Sequence, residues 1–183
     1  LTYDLISGST DQVLHAVLTD RAHIGIAFNA RRDRSIRTVV RVKQPLKVLV
    51  SPSSIWAKIE EPISMRQLQT LPCAVLTKGF GVGDMIREVE AIYETRLQTI
   101  VRSNSLDVLR NFVREGLGVT ILPAFVVTRD IADGTIMTKT LDIPQLSKGE
   151  TSILTRNGRR LPEGAKRLVD HLIPSMAAFT NTL

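Results

Sequence analysis

Residues able to do chemistry are few. The run Gly79-Phe80-Gly81-Val82-Gly83 follows an apolar stretch and precedes a helical pattern. That is the setting of a phosphate-cradling turn, but the spacing is not Gly-x-Gly-x-x-Gly. The run therefore reads as a loop over a small ligand and not as a dinucleotide site. Cys73 lies in an apolar strand pattern and reads as a buried, inert thiol. Glu60-Glu61 sits beside Pro62 in loop text, a solvated pair and not an acid–base pair. His15, His23 and His171 are scattered, read as exposed or satisfied, and have no metal-ligand spacing. No Gly-x-Ser-x-Gly, phosphate loop or His-Glu-x-x-His occurs. No catalytic residue, metal or cofactor is expected.

Two hydroxyl-rich helix starts are more promising, Gly8-Ser9-Thr10 and Ser103-Asn104-Ser105. A helix N-terminus offers free N–H groups and partial positive charge, which suit a carboxylate or phosphate. The same residues are ordinary N-caps, so either start alone has a plain structural explanation.

The elements that must position these residues alternate between strand and helix patterns, which favours α/β layers. Strands are expected at Tyr3–Gly8, His23–Phe28, Ile36–Val42, Leu46–Val50, Cys73–Thr77, Leu97–Val101, Gly118–Leu122, Thr135–Leu141 and Thr151–Arg156. Pro45 separates the third from the fourth. Helices follow Ser9 or Thr10 (Val13, Leu14, Val17, Leu18 inward) and Ser64 (Met65, Leu68 inward). A longer one carries Val82, Met85, Ile86, Val89, Ile92 and Tyr93 on one face. The helix after Ser105 carries Leu106, Leu109, Phe112 and Val113 and stops at Gly116. A short helix spans Phe125–Ile131, and a last one opens at Pro162 and should end or kink at Pro174.

The chain has 183 residues, 24 Lys+Arg against 18 Asp+Glu, 43% hydrophobic and 4% aromatic residues. This is ordinary globular composition, with no apolar run long enough to span a membrane. One cysteine excludes an internal disulfide and a zinc site of several thiolates. No charged-then-apolar leader opens the sequence, and cytoplasm is the expected compartment. The net charge of +6 comes from clusters such as Arg31-Arg32-Asp33-Arg34 and Asn157-Gly158-Arg159-Arg160 in turn-rich text. With few aromatics, these read as solvated surface before nucleic-acid contact.

The segment Ser103–Val127, with Ser105-Leu106, Gly116-Leu117-Gly118-Val119 and Leu122-Pro123, resembles the ligand-sensing domain of LysR-type transcriptional regulators. Gly8-Ser9-Thr10 with its helix, Arg21–Ala27, Gln44–Pro52, Pro62-Ile63-Ser64 with Leu68, and Gly158–Pro162 follow in the family's order. Two positions depart from its pattern: Asp20 stands where glycine is usual, and His23 where aspartate is usual. The match begins at the family's second strand.

The resemblance implies a two-lobed α/β fold of the type II periplasmic-binding-protein kind, lacking the first strand and helix. Lobe one is expected at 1–50 and 123–183, lobe two at 51–122. Effector contacts carried over are Ser9 and Thr10 from lobe one and Thr77, Lys78, Phe80, Ser103 and Asn104 from lobe two. Pro123 and Ala124 are placed near the hinge. The implied function is to bind a small effector, which the helix starts and Lys78 suggest is anionic, and so to bias an oligomer. DNA would be read by an N-terminal winged helix-turn-helix outside this chain, and a homodimer or homotetramer is expected, with no membrane. A solute-binding protein of the same fold is the first alternative. A two-lobed enzyme such as a prephenate dehydratase is the second. That family's Thr-Arg-Phe is met only by Thr95-Arg96-Leu97 and Thr155-Arg156-Asn157.

Overall fold

A computed structural model describes residues 2–178, with side chains described as far as Met176. In chain order the elements are α1 (Thr10–Leu18), β1 (Gly25–Phe28), β2 (Ile36–Lys43), β3 (Leu46–Val50), β4 (Ile63–Ser64), α2 (Met65–Leu68), β5 (Cys73–Leu76), α3 (Gly81–Ile92), β6 (Thr99–Ser103), α4 (Leu106–Arg114), β7 (Val119–Pro123), α5 (Thr128–Ala132), β8 (Met137–Lys139), β9 (Leu141–Asp142), β10 (Glu150–Arg156) and α6 (Glu163–Ala178). Two compact units divide them: unit 1 is Leu1–Lys43 with Glu150–Leu183, and unit 2 is Gln44–Gly149.

These limits differ from the lobe boundaries expected at 50/51 and 122/123. The reason is β3. It pairs antiparallel with β7 on one side and β8 on the other, so Leu46–Val50 and the chain after Pro123 both belong to unit 2. The sequence break that matters is at Pro45 and not at 50/51.

Unit 1 is built on an antiparallel sheet in the order β1-β10-β2. Successive side chains of a strand face opposite ways. Leu154 of β10 therefore meets α1 through Leu14, with Ala27 beside them. Ile153 turns to the other face and packs with Val42, Val169 and Met176. The start of α1 closes as a capping box. Ser9 Oγ accepts the Gln12 N–H (3.2 Å), and Gln12 Oε1 accepts the Ser9 N–H (2.8 Å). Asp20, at the family's glycine position, has φ +60. Aspartate tolerates this left-handed conformation better than most residues, and its carboxylate also meets Arg156 and, at 2.7 Å, Arg159.

One expectation for unit 1 is corrected. Tyr3–Gly8 forms no strand, and Leu5 is 92% exposed. An alternating pattern needs a neighbouring edge to pair with, and no described strand pairs with it. Of the two outcomes expected at Pro174, the end of the helix does not occur, since α6 runs on to Ala178. Leu172, Ile173 and Met176 on either side of it pack on the sheet, and that burial outweighs the one hydrogen bond a proline removes.

Unit 2 holds a five-stranded sheet in the order β6-β5-β7-β3-β8. β5 is parallel to β6 and to β7. Buried β5, β7 and β3 form its centre, and α3 contributes Val82, Met85, Ile86 and Val89 to the core. The buried stripe of α3 stops there: Ile92 and Tyr93 are exposed. The strand expected at Leu97–Val101 starts two residues later, at Thr99. Buried Glu90 is the cause, since its Oε1 accepts the Leu97 N–H at 2.9 Å and takes that donor out of the ladder.

The stretch expected as one strand at Thr135–Leu141 is divided into β8 and β9. Glu61 fastens this division and is not simply solvated. Its Oε2 accepts the Thr140 N–H and hydroxyl (2.5 and 2.7 Å), and Lys139 Nζ lies 3.7 Å from Oε1. The Thr140 bonds, the backbone one first, hold the Glu61 carboxyl below its ordinary pKa of 4.5. A carboxyl depressed in the folded state stabilises above its unfolded pKa and loses that contribution as pH falls through the folded value. Glu61→Gln should therefore flatten the acid limb of the Tm–pH curve below about pH 4.5. An unchanged limb would contradict this role.

Candidate functional site

The parallel part of the unit 2 sheet has a point where connections leave in opposite directions. From β5 the chain passes through α3 to β6 on one side; from β7 it passes through α5 to β8 on the other. Ligands of open α/β sheets sit outside the carboxyl ends of strands at such a point. The hydrogen bonding shows the division directly. β5 and β7 pair only at Cys73/Val119 and Ala74/Thr120. Beyond that, β5 continues with β6 as far as Leu76/Ser103, and β7 continues with β3 as far as Pro123/Leu46.

Most of the sequence-predicted contacts lie on these strand ends. The Thr77 N–H donates to the Ser103 carbonyl at 3.1 Å, which brings these residues together although 26 positions separate them. Thr77 is half-buried and Lys78 exposed. Phe80, half-buried, is the N-cap of α3 and makes no side-chain cap bond. Asn104 is exposed. Ser105 is the N-cap of α4, and its side chain does not cap either; Ser103 Oγ accepts the Ser105 N–H instead (3.1 Å). Neither N-cap residue makes a side-chain cap bond, and each first turn carries one acidic residue, Asp84 in α3 and Asp107 in α4. Pro123 ends β7 and is buried.

Ser9 and Thr10 lie in unit 1. Ser9 is engaged in the capping box, and the Thr10 hydroxyl donates to the Phe28 carbonyl at 3.2 Å.

Two residues that shape this edge escape sequence reasoning. Asp84 Oδ1 accepts the Gly79 N–H at 3.2 Å and pairs with Arg87, fixing the loop before α3. Gly83 lets the first turn of α3 approach the end of β5: a Cβ there would lie 2.5 Å from the Thr77 carbonyl oxygen and 2.6 Å from that of Leu76. The only available signal is the third glycine of Gly79–Gly83.

The remaining reactive types are held in structural roles. Cys73 is buried, donates to the Leu71 carbonyl and has its pKa pushed up to about 12, by burial first and by the Glu90 charge second. It should resist a disulfide reagent such as DTNB in the native protein and react on unfolding; rapid native labelling would contradict its burial. Arg96 pairs with Glu90 and Arg156 with Asp20. His15, His23 and His171 are exposed. Among the described residues no group of three or more His, Cys, Asp or Glu is placed to hold a metal, and no helix is long and apolar enough to cross a membrane.

Known proteins share this architecture. The regulatory domain of CcmR from Synechocystis PCC6803, solved in complex with 2-PG, superposes with a TM-score of 0.76 at 13% identity, covering 96% of this chain and 81% of that one. The effector binding domain of QuiR, solved in complex with shikimate, gives a TM-score of 0.74 at 14% identity over 92% of this chain and 78% of that one. In sequence, the uncharacterised HTH-type transcriptional regulator YeiE of Escherichia coli K12 is 22% identical over 175 residues. The alignment covers 96% of this chain and 59% of YeiE, so the chain spans about three-fifths of that relative's length. The family described as the LysR substrate binding domain matches residues 1–177. The family match across residues 1–177 shows that the chain, with its two-unit α/β fold, belongs to the LysR substrate-binding domains.

Proposed function

We propose that this chain is the effector-sensing part of a LysR-type transcriptional regulator and that its ligand is a small organic anion. The observation that carries this is the parting of β5 from β7 beneath two helix starts without side-chain caps, beside exposed Lys78. In this reading Thr77, Lys78, Phe80, Ser103, Asn104 and Pro123 contact the effector. CcmR and QuiR, regulators of the same fold, were solved with 2-PG and shikimate, which supports a small-molecule ligand. The domain binds its ligand without transforming it. Ligand binding shifts the population of two conformations, and a few kcal/mol of differential affinity suffices for a large shift. DNA is contacted by a helix-turn-helix elsewhere in the protein, within a homo-oligomer in the cytoplasm.

Titration of the chain with carboxylates and matched neutral amides tests the reading. Carboxylates should bind and the amides should not. Lys78→Ala should weaken the carboxylates about five- to tenfold, the effect of one partly solvated charge-assisted bond. Preference for neutral or cationic compounds, or turnover of a bound compound, would overturn it.

A further inference from the structure

The basic character of the sequence is not evenly spread. Unit 1 holds twelve Lys+Arg against seven Asp+Glu, a net +5 of the chain's +6. Part of this charge surrounds a cleft of about 290 Å³ on the unit 1 sheet. Its floor is the β2 and β10 surface on the Leu154 side, with Thr38 and Ser152. Its walls come from the loop before β2, with Arg31, Arg32 and Asp33, and from Arg41 of β2. Ser152 is only 3% exposed, and its hydroxyl has no partner among the described residues. The hydroxyl is not itself fully buried, so it opens to the cleft that Ser152 lines and is placed to meet a ligand there.

The charges around it are partly balanced. Arg41 pairs with Glu150 at 3.1 Å, and Arg31 lies 3.8 Å from Asp11 with both side chains mostly exposed. Asp33 Oδ1 accepts the Ser35 N–H. Arg32 makes no ion pair among the described residues. Arg41, anchored by Glu150, is held in place as a fork, while Arg31 and Arg32 have room to close over an anion.

We infer that this cleft is a second ligand site, separate from the strand-end site of unit 2, and that it takes the phosphoryl group of a small metabolite. Several guanidinium forks with two hydroxyls supply more donors than a carboxylate has lone pairs, and they suit a tetrahedral dianion. A small molecule fits better than duplex DNA. The volume is at the low end of small-ligand pockets, and a phosphate held in a duplex backbone would not reach the recessed Ser152.

Calorimetric titration of the 183-residue chain with inorganic phosphate and with acetate, at constant ionic strength, tests the inference. Phosphate should bind with an affinity that depends on Arg32 and Ser152, whereas any acetate binding should depend on Lys78 and not on these two residues. Arg32→Ala should weaken phosphate about tenfold or more, and Ser152→Ala about threefold or more. Arg66→Ala, an exposed arginine of unit 2, should leave phosphate binding unchanged, and unaltered melting curves should show that the variants fold. Absence of phosphate binding, indifference of phosphate to both cleft substitutions, or equal weakening of acetate by them overturns the inference. A short DNA duplex bound through Arg32 without dependence on Ser152 would overturn it as well, by assigning the arginines to nucleic acid. Because the cleft is read through Arg32 and Ser152 and the strand-end site through Lys78, the two sites stand or fall separately.

Discussion

Gly118→Ala should lower stability by about 3 kcal/mol or more, the upper range for overpacking a core, and Tm by roughly 6–12 °C for a chain of this size. A Cβ at this position would lie 2.1 Å from the Pro72 carbonyl oxygen and 2.7 Å from Cε1 of Phe112. The carbonyl cannot retreat freely, because it accepts the Val119 N–H at 2.9 Å where β5 and β7 first pair. Pushing it away breaks that bond, displaces the buried Phe112 ring and opens the centre of the sheet. Gly134→Ala is the control. Gly134 has φ +67 but nothing within 4 Å of an added Cβ, so only backbone strain of about 1 kcal/mol is expected. If thermal melts put the two variants within a degree of each other, close approach is not the reason for glycine at 118.

The contrast between these glycines marks what a sequence can carry. Gly116-Leu117-Gly118-Val119 is readable as a helix stop running into a buried strand, and Gly116 does stop α4 with φ +67. That the second glycine must touch the Pro72 backbone is not readable, because it depends on a partner 46 residues away. Locally encoded features were legible for the same reason. Ser9 and Ser64 both start helices through capping boxes with a glutamine three residues on, and Met65 and Leu68 point inward as their spacing requires. Features that depend on a neighbour were not. Tyr3–Gly8 has a strand pattern and no described strand to pair with, and Pro174 is carried inside α6 by packing on either side of it. The lobe limits carried over from the resemblance differ from those of the two compact units, because strand pairing decides which sheet β3 joins and that is not written in the local residues.

The candidate site divides along the same line. The Ser103-Asn104-Ser105 start was visible as a cluster of hydroxyls, but its expected capping was not found: Ser105 takes the N-cap position and its side chain leaves the first turn uncapped. The meeting of Thr77 with Ser103 followed from resemblance to a family and not from spacing, since only the parallel pairing of β5 with β6 joins them.

Gly83→Ala is the second large effect, and it connects the fold to the site. The methyl group would meet two carbonyl oxygens, Thr77 at 2.5 Å and Leu76 at 2.6 Å, both in the backbone that ends β5. Relief requires the first turn of α3 to move off the strand end. That turn carries the buried Val82 and follows directly on Lys78, Gly79 and Phe80. Two losses should therefore appear together: about 2–3 kcal/mol of stability, from overpacking, and roughly tenfold or more in carboxylate affinity, because a displacement near 1 Å spoils donor geometry at a bound anion. Asp84→Asn separates these losses. It weakens the hold on the Gly79 N–H and breaks the Arg87 pair without crowding β5, so it should loosen the loop and reduce affinity while costing little in Tm. If Gly83→Ala lowers Tm but binds carboxylates as the parent does, the start of α3 is a packing device alone, and the anion is held by the other strand ends.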